Sequence, residues 1–193
     1  MKHFFSFLSC ILSMLIFCAC NNVIDIDVQD NQMHFNGQTY EMSMTSASYT
    51  PHDKMYHIRA KNPQTLDWSY AVFADSSLVG KKIDLANIEQ KLLDDGVYLY
   101  LGISYVVGTP IKDFIGYYNM FVNGGRVSGN ISGDTMGEEY LYDESPFKEG
   151  RLLITNDGSY FKLDLNGTLK NDKQTAVNIV VPVKDIRIIT PMQ

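Results

Sequence analysis

Clustered carboxylates are the first residues in this sequence whose type and spacing could do chemistry. They lie between positions 134 and 149, are interleaved with Tyr140 and Tyr142, and comprise Asp134, Glu138, Glu139, Asp143, Glu144 and Glu149. Hard cations such as calcium bind carboxylate oxygens, and glycosidases use two carboxyl groups at a defined separation. The cluster therefore suggests either a carboxylate-dependent hydrolase or a hydrated acidic loop, and the loop is the simpler interpretation.

Aromatic residues at strand spacing form a second candidate site. In residues 97–107 the odd positions are apolar, whereas Tyr98 and Tyr100 share the opposite face with Gly102 and Ser104. Because a glycine leaves the sheet surface uncovered, the two tyrosines could form a platform for sugar rings or for aromatic side chains of a partner. Other aromatic residues could extend this platform: Trp68, Tyr70, Tyr117 and Tyr118. The alternative is that all of them are core residues, because aromatic residues favour strands.

Other residue types give no pattern that supports catalysis or metal binding. His34, His52 and His57 stand apart from one another, and none belongs to a His-Glu-x-x-His motif. In residues 129–133 the serine comes one place too late for the nucleophile elbow of a serine hydrolase. Gly124-Gly125 lacks the lysine of a phosphate-binding loop. We therefore predict no metal and no cofactor, and we favour a non-catalytic role.

The N-terminus has the organisation of an export signal. A positively charged start, Lys2-His3, precedes an apolar run over residues 4–17 that is too short to span a membrane comfortably, and the small residue Ala19 follows. We expect residues 1–19 to be removed as a signal peptide. The alternatives are a simple secreted protein and an uncleaved signal anchor.

The residues Phe17-Cys18-Ala19-Cys20 resemble a bacterial lipobox, in which a cysteine follows a small residue and is diacylated before cleavage. The resemblance implies that Cys20 carries a lipid, and an acyl pair anchors a protein durably where a single chain is marginal. Cys10 and Cys18 would leave with the signal peptide, so Cys20 would be the last cysteine. The mature chain would then have neither a disulfide nor thiol chemistry.

Length and charge limit the remaining classes of protein. The chain has 193 residues and a net charge of −6. The phosphates of a nucleic acid repel a protein of negative net charge, so we exclude nucleic acid as a partner.

After the signal peptide we expect a lipid-attached tether over residues 20–32 and a single β domain over 33–193. Asp25, Asp27 and Asp30 favour the tether, although the apolar residues between them could equally form a first edge strand.

Alternating apolar residues and turn residues predict an all-β domain. Asn36-Gly37 is a strong hairpin signal because both turn positions need a positive φ, and Asn123-Gly124-Gly125 separates a second pair of strands. We predict strands at 33–35, 38–44, 55–60, 68–74, 97–107, 114–122, 126–131, 151–155, 160–169 and 176–183. Such short strands favour an antiparallel β-sandwich, with a lipocalin-like barrel carrying an apolar ligand as the alternative.

One segment departs from the strand pattern. Asp84 could cap a helix near residues 84–95, on which Leu85, Ile88 and Leu92 would share one side and which would end at Gly96. The alternation of Ile83 and Leu85 is equally consistent with a strand.

Three segments rich in turns, 35–40, 77–85 and 150–172, resemble parts of small β-rich lipoproteins of the Bacteroidetes cell envelope. The resemblance implies lipid attachment to the outer membrane, with the periplasmic and the cell-surface face both open. It also implies a binding or structural role toward a glycan or an envelope protein. Asp134-Thr135-Met136 fits a short acceptor pattern for O-glycosylation in that group, so Thr135 is a candidate modification site.

Overall fold

The computed structural model describes residues 25–64 and 66–190. Strands dominate these residues, as the sequence predicts, and the only α-helix among them, α1 (Gln90–Asp94), is five residues long. The strands are β1 (Gln32–Phe35), β2 (Gln38–Glu41), β3 (Ser43–Thr50), β4 (Met55–Lys61), β5 (Trp68–Asp75), β6 (Lys82–Asp84), β7 (Leu99–Tyr105), β8 (Tyr118–Asn123), β9 (Arg126–Ser132), β10 (Glu139–Tyr142), β11 (Phe147–Asn156), β12 (Tyr160–Leu169), β13 (Gln174–Pro182) and β14 (Arg187–Ile188).

The strands form two open sheets that pack face to face. The small sheet has the order β2-β1-β13-β12-β11-β6, and the large sheet has the order β10-β9-β8-β7-β5-β4-β3-β14. Neighbouring strands are antiparallel except β14, which runs parallel to β3. The sandwich prediction is confirmed. The barrel alternative is wrong, because each sheet ends in edge strands within the part of the chain that the structure describes.

The core lies between the sheets and is built by strict alternation along the strands. Leu99, Leu101 and Ile103 of the large sheet and Leu163 and Leu165 of the small sheet are all buried. Alternation directs the intervening residues of each strand to the outer face of its sheet. The apolar residues at odd positions in 97–107 would all lie in the core if the strand continued, but β7 ends at Tyr105 and Val107 is exposed.

A short chain of hydroxyl groups joins the two sheets inside this core. The hydroxyls of Tyr70 and Tyr118, both on the large sheet, are 3.0 Å apart, and the Tyr118 hydroxyl lies 3.1 Å from Oγ1 of Thr175 on the small sheet. All three residues are fully buried. Burial raises the pKa of Tyr118 to about 12, so its hydroxyl is neutral at any physiological pH.

Two hairpins follow the predicted turn chemistry. Asn36 and Gly37 have φ values of 50° and 79° and connect β1 to β2. Gly124 and Gly125 have φ values of 56° and 77° and connect β8 to β9. Positive φ at both central positions matches the right-handed twist of the flanking strands, so these turns set the register of both hairpins.

The predicted helix is shorter and begins later than the sequence suggests. Asp84 ends strand β6, and its carboxylate accepts hydrogen bonds from the backbone N–H groups of Ala86 and Asn87, so it stabilises a turn rather than a helix. The backbone N–H of Leu85 donates to the carbonyl of Gly150, so pairing with β11 prevails at this point. The strand alternative is therefore correct at Ile83, and helix α1 occupies only the end of the predicted segment.

The described part of the expected tether is docked on the domain. The side-chain amide of Asn166 donates to Oδ1 of Asp25 at 2.7 Å and to the carbonyl of Ile26 at 2.8 Å, and Arg151 donates to Oδ2 of Asp25 at 3.1 Å. The segment from Asp25 onward therefore lies on the outer face of the small sheet. Among the described residues the first strand begins at Gln32, so the edge-strand alternative is wrong at Ile26 and Val28.

Cys20 and the predicted signal peptide lie outside the described residues. Within the described ranges, no helix has the length and apolar character needed to cross a membrane.

Candidate binding groove

A row of four rings crosses four neighbouring strands on the outer face of the large sheet. His57 on β4 pairs with Phe73 on β5, Phe73 pairs with Tyr100 on β7, and Tyr100 pairs with Phe121 on β8. Successive ring centroids are 4.9, 5.2 and 4.8 Å apart. Directly opposed residues on one face of a sheet come this close, and rings at these distances interact favourably. We call His57, Phe73, Tyr100 and Phe121 the aromatic row.

A groove of about 540 Å³ lies beside the aromatic row and is open to solvent. Its floor consists of small residues, Ser69 and Ala71 of β5 and Ser104 of β7, and Val106, just beyond β7, also lines it. Volumes of this size are typical of sites for small ligands. Of the rings that line the groove, Phe121 is 40 % exposed and Tyr100 is 9 % exposed.

Gly102 allows close pairing of the strands under this groove. It lies opposite Ala71 on one side and Asn119 on the other. Its φ is +156°, and a Cβ at this position would collide with the carbonyl oxygen of Tyr118 and with the side chain of Asn119. Only glycine therefore allows β7 and β8 to approach as they do.

Hydrogen bonds hold the ring of Tyr100 in place. Its hydroxyl donates to Oδ1 of Asn119 at 2.7 Å and lies 2.8 Å from Oγ of Ser104. The amide of Asn119 donates in turn to Oδ1 of Asn130 at 2.9 Å, and the amide of Asn130 donates to Oε1 of Glu139 at 2.6 Å. This chain crosses β7, β8, β9 and β10, so the orientation of the Tyr100 ring is set by the sheet itself.

The groove carries positive charge. The guanidinium carbon of Arg59 lies 5.4 Å from the centroid of the Phe73 ring, a cation–π geometry, and Lys61 lines the groove on the same strand. None of the described residues that line the groove is a carboxylate. Since the whole chain has a net charge of −6, the groove differs in sign from the protein that surrounds it.

The predicted platform corresponds only partly to this groove. Tyr98 and Tyr100 both line it, Tyr98 half-buried and Tyr100 9 % exposed. Trp68 and Tyr70 are 0 % exposed and belong to the core, so their assignment to the platform is wrong. In β5 the even-numbered residues face inward, which leaves Phe73 on the outer face instead.

Two further aromatic candidates also lie elsewhere. Tyr118 is a fully buried core residue, and Tyr117 packs against the ring of Tyr105 with centroids 6.5 Å apart. The sequence analysis missed Phe73, Phe121 and Arg59, which the structure brings together with Tyr100.

The carboxylate cluster does not converge on a cleft. Asp134 pairs with Lys173 at 2.8 Å, Glu144 pairs with Lys170, and Glu149 accepts a hydrogen bond from Thr168. Part of the segment is strand β10 rather than a loop. The described residues contain no group of three or more histidine, cysteine, aspartate or glutamate side chains that could hold a metal ion. Asp134, Glu144 and Glu149 are therefore each held by a separate partner.

Thr135, the candidate for O-glycosylation, lies exposed in the turn between β9 and β10. An exposed turn is accessible to a modifying enzyme, and the modification itself stays a prediction. An intact-mass difference between the native chain and Thr135→Ala, beyond that of the substitution, would support it, and an unmodified mass would refute it.

Comparisons with known proteins give no match to this chain among family models, curated proteins or solved structures. Function is therefore inferred from the geometry of the groove.

Proposed function

We propose that this chain is a lipid-anchored protein of the bacterial cell envelope that binds a glycan in the groove of its large sheet and catalyses no reaction. The aromatic row beside the floor of small residues carries the proposal. The C–H faces of sugar rings pack on aromatic rings, and sugar hydroxyls require hydrogen-bonding groups nearby. Ser69 and Ser104 on the floor and Tyr98 at the side present such groups.

Preorganisation of the rings supports a binding role. Tyr100 is held by hydrogen bonds within the sheet, and Phe73 is held between the rings of His57 and Tyr100. Side chains that are already ordered lose little conformational entropy when a ligand binds, which favours affinity.

The docked N-terminal segment supports anchoring through Cys20 in an orientation that leaves the groove accessible. Asp25 is bound to the outer face of the small sheet, and Cys20 precedes it by only five residues. An extended chain of that length spans at most about 18 Å. A lipid on Cys20 would therefore hold the small sheet near the outer membrane, and the groove on the opposite face of the sandwich would point away from the bilayer.

A binding assay tests the proposal. The chain from residue 20 onward, with Cys20→Ala to prevent acylation, is applied to a glycan array, and hits are measured by titration calorimetry. We expect Phe73→Ala and Phe121→Ala each to weaken binding about tenfold or more, equivalent to about 1.4 kcal/mol.

Tyr160→Ala is the matched control, because Tyr160 is an exposed aromatic residue of the small sheet. Its affinity for the glycan should equal that of the parent chain. Absence of any glycan hit, or equal affinity in the Phe73→Ala and Phe121→Ala variants, would refute the proposal, and capture of an envelope protein through the same residues would replace the glycan with a protein partner.

A further inference from the structure

We infer that the groove is specific for acidic glycans, in which a sugar ring that packs on the aromatic row carries a carboxylate or a sulfate group. This inference rests on the proposed glycan-binding function and adds the chemical class of the ligand. It is carried by the position of two cationic side chains over the floor of the groove.

Both cations are placed opposite the smallest residues of the site. Arg59 pairs with Ala71 across β4 and β5, and Lys61 pairs with Ser69. Residues two apart on a strand lie on the same face, so both side chains rise from the outer face beside the floor. The short side chains opposite them leave the space above the floor free for a ligand.

Arg59 also contacts the aromatic row itself. Its guanidinium carbon is 5.4 Å from the centroid of Phe73, the second ring of the row. A sugar bound in the groove would therefore present its substituents within reach of the guanidinium, which lines the same groove. Arginine binds carboxylate and sulfate oxygens through paired hydrogen bonds, which gives direction as well as attraction.

The surrounding charges favour an anion at this place. The chain has 22 acidic and 16 basic residues, yet the described lining of the groove contains Arg59 and Lys61 and no carboxylate. A positive groove on an otherwise acidic protein attracts anions.

The test compares matched ligands that differ in charge. A panel of uronic-acid oligosaccharides and the methyl esters of the same oligosaccharides is titrated into the chain from residue 20 onward carrying Cys20→Ala. We expect the acidic form of the bound sugar to bind at least tenfold more tightly than its ester. We also expect its affinity to fall steeply between 50 mM and 500 mM NaCl, because screening weakens charge interactions.

Variants assign this preference to the two cations. Arg59→Gln and Lys61→Gln should each reduce the ratio of acid to ester affinity at least threefold, whereas Arg59→Lys should retain part of it. Lys162→Gln is the matched control, because Lys162 is an exposed cation on the small sheet and should leave the ratio unchanged. Thermal unfolding confirms that each variant is folded.

The outcomes separate the inference from the function on which it rests. Equal affinity for acid and ester, with binding still lost in Phe73→Ala, overturns the charge preference and keeps the glycan site. A charge preference that persists in the Arg59→Gln/Lys61→Gln double variant overturns the assignment to these residues. Failure of every acidic and neutral glycan to bind overturns the proposed function as well.

Discussion

The hydroxyl of Tyr100 donates a hydrogen bond of 2.7 Å to Oδ1 of Asn119 on the neighbouring strand. Through Asn119 it is connected to Asn130 and Glu139, so the ring beside the groove is oriented by a chain of side chains that spans four strands. The ring is therefore ordered by the sheet itself. In the proposed glycan site, the Tyr100 hydroxyl would position the ring and the ring would contact the ligand.

Substitutions at Tyr100 should separate these two roles. Tyr100→Phe leaves Oδ1 of Asn119 without its donor, so we expect a loss of about 1 kcal/mol in the free energy of unfolding and less than a threefold change in glycan affinity. Tyr100→Ala removes the ring and should weaken binding at least tenfold. Urea unfolding and titration calorimetry measure both effects, with Tyr160→Phe as the control. Equal loss of binding in the two Tyr100 variants would assign binding to the hydroxyl instead.

Gly102→Ala should distort the floor of the groove. The added methyl group would meet the carbonyl oxygen of Tyr118 and the side chain of Asn119, so β7 and β8 must separate. We expect a loss of about 1–3 kcal/mol in the free energy of unfolding, together with weaker glycan binding.

Gly158→Ala serves as the control for Gly102→Ala. Gly158, between β11 and β12 of the small sheet, also has a positive φ, +85°, but a Cβ there would meet nothing within 4 Å. Its cost should be limited to backbone strain of about 1 kcal/mol, with glycan affinity unchanged. A Gly102→Ala variant as stable as Gly158→Ala and with native affinity would contradict the account of the floor.

Stability should fall at alkaline pH because of the buried tyrosines. Burial raises the pKa of Tyr118 from 10.0 to about 12, and burial also raises that of Tyr70. In the unfolded chain these hydroxyls ionise at lower pH than in the folded protein. Their contribution is therefore complete below about pH 10 and is lost as the pH rises toward 12, by up to about 1.4 kcal/mol per pH unit for each buried tyrosine.

Urea unfolding at pH 9, 10 and 11 checks this dependence. Tyr118→Phe should be less stable at neutral pH, because Tyr70 and Thr175 lose a hydrogen-bond partner, and its stability should decline less steeply with pH. Tyr160→Phe, which alters an exposed hydroxyl, should retain the native slope. A slope that is the same in Tyr118→Phe and in the native chain would show that other groups cause the alkaline loss.

Lipidation at Cys20 is checked by metabolic labelling with radioactive palmitate in a bacterial host. The native full-length chain should incorporate label and partition into the membrane fraction, and Cys20→Ala should do neither. Cys18→Ala is the control, because Cys18 precedes the expected cleavage site and should not affect labelling of the mature chain. Label that persists in Cys20→Ala would exclude Cys20 as the acceptor.

Much of the fold is predictable because turns and alternation are local properties of the chain. Asn36-Gly37 and Gly124-Gly125 determine two hairpins by the φ values that their turns require. Strand β12 has the bounds expected from its alternating residues and its flanking polar turns. The helix near residue 84 was overestimated because pairing of β6 with β11, which lies far away in the sequence, prevails over the local capping pattern.

The groove was only partly predictable because it depends on which strands are neighbours. In β5, Trp68 and Tyr70 alternate with the smaller residues Ser69 and Ala71, which predicts that the even-numbered residues face inward. The outward position of Phe73 could therefore have been found from the sequence. The contact of Phe73 with Tyr100, and so the grouping of both with Arg59, could not have been found from the sequence. It arises because β6 belongs to the other sheet, so β5 pairs directly with β7. No local pattern encodes that order.

The central claim, that the aromatic row binds a glycan, is tested most directly by NMR. The ring resonances of Phe73, Tyr100 and Phe121 are followed in the aromatically labelled chain during titration with the tightest-binding acidic oligosaccharide, and Tyr160 on the small sheet serves as the internal reference. We predict saturable shifts and intermolecular nuclear Overhauser effects from the sugar protons to the three rings, with Tyr160 unaffected. Absence of shifts in the row, or contacts confined to the small sheet, would contradict the claim.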